Sequence, residues 1–106
     1  MLIRVMTFEG CQNCETTRHL VEETVRELHL GADIEAIQIK NEEEAIGYGF
    51  LGSPTIQVDG QDIEVNRRGE RASFSCRVYR TPRGISGVPP KDLLLEALKK
   101  AASSEA

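Results

Sequence analysis

The sequence predicts an α/β fold in which a central mixed β-sheet is flanked by helices. Three observations predict it. Short β-rich runs alternate with segments of helical spacing through the first half of the chain. Asp59-Gly60, a residue pair strongly favoured in tight hairpin turns, separates two further β-rich runs. A last helical segment follows a stretch rich in Gly and Pro, so the order reads β-α-β-α-β-β-extended-α.

Residues 2–8 are apolar, β-branched and short, which predicts a strand ending at Glu9-Gly10. Over 14–30 the spacing becomes helical, with Thr17, Leu20, Val21, Thr24 and Leu28 on one stripe and Gly31 suited to the C′ position. Residues 33–39 carry Ile34, Ala36, Ile37 and Ile39 with little polar alternation, the pattern of a central parallel strand covered on both faces. Asn41 with Glu44 three residues on resembles a capping box, opening a helix kept short by Gly47, Gly49 and Gly52. Runs 55–58 and 62–65 form the hairpin, and 66–72 reads as a loop. Between 73 and 79 the pattern alternates, which predicts an extended segment with Phe74, Cys76 and Val78 on its apolar face. Residues 81–90 read as a long loop, and the last helix begins near Pro90 or Lys91 with Leu94, Leu98 and Ala101 inward. One domain over 1–102 is expected, with 66–90 an insertion and 103–106 a flexible tail.

The 106 residues are 40% hydrophobic, enough for one modest core. Thirteen basic residues against 17 acidic give a net charge of −4, which argues against nucleic acid as the partner. No apolar run is long enough to cross a bilayer, so no membrane role is expected. Three cysteines are too few for a secreted disulfide framework. The expectation is a cytoplasmic monomer with reduced thiols. Charge is uneven: Arg67, Arg68, Arg71, Arg77, Arg80 and Arg83 face only Glu70 between residues 66 and 83. That stretch reads first as a solvated edge, second as an anion-attracting rim.

Cys11-Gln12-Asn13-Cys14 lies where the first strand hands over to the first helix. A thiolate there meets unpaired backbone N–H groups and the positive end of the helix dipole, which lower a thiol pKa. Two intervening residues let the second thiol close on the first. Cys11 is thus expected as the exposed nucleophile and Cys14 as the shielded resolving thiol. Arg18 and His19 would assist the thiolate, and Glu15 would oppose it. Cys-x-x-Cys is also half a zinc site, and His19 and Cys76 are candidates to complete one.

With Cys11 and Cys14 in place, the segment Tyr48-Gly49-Phe50-Leu51-Gly52-Ser53-Pro54-Thr55 makes the chain resemble the thioredoxin-like superfamily in its compact, glutaredoxin-sized form. The resemblance covers residues 1–65 and the last helix. It implies a cis-proline at Pro54 set against the cysteines, and substrate contacts at Ser53, Pro54 and Thr55. It departs from the family where Gly10 replaces an aromatic neighbour, where Gln12-Asn13 separates the cysteines, and where Glu64-Val65-Asn66 replaces a Gly-Gly associated with glutathione. The implied activity is thiol–disulfide exchange, without a cofactor or metal. It acts on a disulfide in a protein or small molecule and draws on an external reductant. Cys-Arg-Val-Tyr at 76–79 and the stretch 84–90 also resemble small thioredoxin-like proteins labelled alongside alkylmercury lyases. Two other readings stay open: a soft-metal or organomercurial thiolate-binding protein, and a thioredoxin-fold module without turnover. Cys76 is expected to be a buried structural thiol, the other reading being a third thiol of the site.

Overall fold

The structure is a computed structural model and describes residues 1–104. Its main sheet has the order β2-β1-β3-β4, with β1 (Leu2–Thr7), β2 (Asp33–Gln38), β3 (Thr55–Val58) and β4 (Gln61–Asp62). β1 runs parallel to β2 and antiparallel to β3, and β3 and β4 form the hairpin. The sheet is therefore mixed, as expected. Alternation along β1 sends its side chains to two cores. Ile3 and Val5 join Val21 of α1 (Cys14–Glu27) and Leu94 and Leu98 of α3 (Lys91–Ser104). Met6 joins Ala45 of α2 (Glu42–Tyr48), Ile39 and Phe50 on the other face. Each fully buried leucine on α3 contributes roughly 1.5–3 kcal/mol of burial.

Local chemistry sets the element ends. Asn41 Oδ1 accepts from the Glu44 N–H at 2.9 Å, while Glu44 Oε1 accepts from the Lys40 N–H at 2.8 Å. Gly49, at φ 69°, closes α2 in the left-handed region. Asp59 and Gly60 both have positive φ, 51° and 85°, which is the hairpin turn that matches strand twist.

Several expectations are corrected. β2 is an edge strand, and its residues are exposed or half-buried. Ile34 packs on one core and Ile37 on the other, which produced the apolar signal. Asp33, Glu35 and Gln38 face solvent and blunt the edge. α1 stops at Glu27, because His29 rather than Gly31 takes the left-handed position, at φ 53°. The Leu30 N–H then donates to Val25 O and the His29 N–H to Arg26 O, which completes a Schellman motif. β4 ends at Asp62, whose Oδ1 accepts the Glu64 N–H at 2.8 Å and turns the chain into a 3₁₀ turn, Val65–Arg67. The expected loop at 81–90 contains a small hairpin, β5 (Tyr79–Thr81) with β6 (Gly84–Ser86). Of the expected tail, Ser103 and Ser104 are helical, and 105–106 lie outside the described residues.

The largest correction is in 73–79. Residues 73–76 are all exposed, with a bend at Phe74 and Ser75, and burial alternates only over 76–79, where the faces are reversed. Phe74 is 38% and Val78 52% exposed, Cys76 is exposed, and Arg77 and Tyr79 are buried. A period-two pattern fixes the repeat without saying which face turns inward. Buried polar partners decide it. Arg77 forks onto both Asp62 carboxylate oxygens at 2.7 and 2.8 Å and reaches Glu64 at 2.8 Å. Tyr79 donates its hydroxyl to Pro54 O at 2.6 Å and lies under the Arg77 guanidinium. Burial alone would weaken the Arg77 charge, but the bonds to Asp62 and Glu64 outweigh it, so its pKa is raised. Burial likewise pushes the Tyr79 phenol well above its ordinary range. Of the six arginines of this stretch, Arg77 and Arg67 are paired with acids and Arg68 donates to Asp62 O, while Arg71, Arg80 and Arg83 are exposed.

Candidate active site

β1 leads through Phe8, Glu9 and Gly10 into the cysteines, with Gly10 at φ 83° making the turn. The Cys11 N–H returns to Phe8 O at 3.3 Å, and α1 begins at Cys14. Asn13 occupies the N-cap position, and its side chain makes no capping hydrogen bond to the first-turn N–H groups. Cys11 and Cys14 are joined as a disulfide, their Cα atoms 5.6 Å apart. Both are half-buried.

The loop before β3 sits against this pair. Ser53 Oγ lies 3.5 Å from Cys14 Sγ and accepts the Phe8 N–H at 3.2 Å. One hydroxyl thus ties the end of β1, the second cysteine and the proline loop together. The Ser53–Pro54 peptide bond is cis. Thr55 is fully buried; its hydroxyl donates to Gly52 O and accepts from the Leu51 N–H and Arg77 Nη1, both at 3.2 Å. It braces the loop from behind, so its place is structural support rather than a contact surface.

The segment that follows closes over the loop. The Ser53 N–H donates to Ser75 O at 2.8 Å, and Ser53 O accepts the Arg77 N–H at 3.0 Å. Ser53 is therefore bridged to Cys76 in parallel, and both its backbone groups are taken by the chain itself. Gly52 permits the approach: at φ 113°, a Cβ there would lie 2.9 Å from Arg77 Cβ. The Phe74 ring meets Phe8 edge-on at 5.4 Å. Farther along, Gly87 passes so close to Asn13 that a Cβ there would collide with its side-chain amide.

The structure thus brings together Cys11, Cys14 and Ser53, with Pro54 next in the chain and Cys76 exposed beside Ser53 instead of buried. Arg18 and His19 are drawn away from the thiols: Arg18 pairs with Glu15 at 2.6 Å and His19 lies 3.6 Å from the same carboxylate. Among the described residues, no group of three or more His, Cys, Asp or Glu side chains is placed to hold a metal ion. Sequence reasoning missed the roles of Asp62, Arg77, Tyr79 and Gly87. The acids Asp62 and Glu64 just ahead of the arginines were the one available signal.

A mixed sheet with a Cys-x-x-Cys disulfide at the junction of β1 and α1, set against a cis-proline loop, defines a dithiol–disulfide type of domain. A thioredoxin-domain family model matches residues 1–65, and the chain belongs to that family. It is also similar to a thioredoxin of Methanocaldococcus jannaschii, 28% identical over 99 residues and covering 92% of each chain. Among the described residues, no helix is long and apolar enough to cross a membrane.

Proposed function

We propose that this protein is a thiol–disulfide oxidoreductase working through the Cys11–Cys14 couple. The observation that carries the reading is the Cys11–Cys14 disulfide at the uncapped start of α1, with Ser53 Oγ 3.5 Å from Cys14 Sγ. In the reduced chain the N–H groups of the first helical turn favour a thiolate at Cys11. That thiolate attacks one sulfur of a substrate disulfide and displaces the other as a thiolate. Cys14 then attacks Cys11 Sγ, which frees the second substrate thiol and closes Cys11–Cys14. An external dithiol returns two electrons and two protons. The substrate is a protein or small-molecule disulfide, and a reducing compartment such as the cytoplasm suits the cycle. The relative named as a thioredoxin supports the same class of chemistry.

Insulin reduction driven by dithiothreitol tests it. The expected result is turnover by the wild type and its loss in both Cys11→Ser and Cys14→Ser. A wild type no faster than dithiothreitol alone would overturn the reading.

A further inference from the structure

Cys76 is the one cysteine the exchange cycle leaves out, and its placement follows from the contacts of Ser53 and of its own chain neighbours. Its pairing with Ser53 puts the two residues side by side, about 4.8 Å apart across the strands, with side chains on the same face. The Ser53 side chain on that face points at Cys14 Sγ, 3.5 Å away. Phe74, two residues before Cys76, packs on Phe8, whose N–H is bound by the same Ser53 hydroxyl. Arg77 and Tyr79 anchor the opposite side of the segment in the core. Cys76 is exposed and free.

We propose that Cys76 is a third exchange thiol of this site, one that takes Cys14 from Cys11. Cys76 loses its proton to solvent and attacks Cys14 Sγ. The Cys14–Cys76 bond forms as the Cys11–Cys14 bond breaks, and the electron pair leaves on the Cys11 sulfur. No net oxidation or reduction occurs, so no external reagent is consumed. The better-stabilised thiolate is the better leaving group, which favours release of Cys11 over release of Cys14. The step regenerates the Cys11 nucleophile and moves the disulfide to an exposed segment, where an external thiol reaches it. The inference rests on Cys11–Cys14 being an exchange-active pair.

Its test reads linkage rather than turnover. The Cys11→Ser chain, folded by circular dichroism, is oxidised with diamide at low protein concentration, alkylated, digested and mapped by mass spectrometry. The expected product is an intramolecular Cys14–Cys76 disulfide, formed at least about tenfold faster than in urea because the fold holds the two thiols together. Oxidised wild type should show a minor form with Cys11 alkylated and Cys76 protected. Closure no faster than in urea, or Cys76 found only in disulfides between chains, overturns the proposal. So does faster closure of Cys11–Cys76 in Cys14→Ser. Wild-type insulin reduction is unaffected by these outcomes, so failure here is distinguishable from failure of the oxidoreductase reading.

Discussion

Replacing Arg77 with Met should unfold this protein far more readily than its place in an arginine-rich stretch suggests. The Arg77 side chain is 0% exposed, and its partners Asp62 and Glu64 are 5% and 18% exposed. Met fills a similar volume, so the cavity contribution is small. What remains is a buried Asp62 carboxylate that has lost two charge-assisted hydrogen bonds, and Thr55 and Glu64 each lose one. Removing one partner of such a pair costs about 3–5 kcal/mol, whereas an exposed pair such as Arg18–Glu15 contributes about 0–1. That is a large share of the roughly 5–15 kcal/mol that holds a small domain together. In urea the midpoint should fall by about 1–5 M at unchanged slope. Arg77→Lys should fall between, since it keeps the charge and loses the fork. The double variant Arg77→Met/Asp62→Leu should recover part of the loss, because the orphaned Asp62 charge goes with its partner while the Glu64 N–H loses its acceptor. A loss below about 1 kcal/mol for Arg77→Met, or a double variant no better than the single, would refute the reasoning.

Gly52→Ala should cost about 2–4 kcal/mol, measured in the same titration, because it meets both a positive φ and Arg77 Cβ. His29→Gly should stabilise by about 1 kcal/mol in thermal unfolding, since a histidine holds the left-handed cap. Tyr79 is neutral in both states below its ordinary pKa of 10.0, and its folded-state value is raised. Above pH 10 the unfolded chain releases that proton first, so the folding constant should fall by up to about tenfold per pH unit. Tyr79→Phe should remove Tyr79's contribution to that slope, at a general cost of about 1–3 kcal/mol for the lost bond to Pro54 O.

Local rules carried most of the fold into the sequence. The Asn41 cap, the Asp59-Gly60 turn and the α3 stripe depend on neighbours within a few residues, and each is present. The thiol pair was legible for the same reason, being four consecutive residues at a strand–helix junction. Features set by distant partners were not. β2 looked central because Ile34 and Ile37 serve different cores, and edge position is a property of the whole sheet. The 73–79 segment turned over because Asp62, Glu64 and Pro54 O hold Arg77 and Tyr79 inside, 13 to 25 residues away in sequence. With the faces reversed, Cys76 moved from an expected core thiol to an exposed one beside Ser53.

The midpoint potential of the Cys11–Cys14 couple tests the central claim most directly. The chain is equilibrated in dithiothreitol buffers of graded potential, quenched in acid, alkylated and mapped. The account predicts a reversible two-electron transition confined to this site. Its midpoint should lie above about −300 mV, the region below which structural disulfides fall. A pair that stays oxidised well below that potential, or that never closes under oxidising conditions, would contradict it.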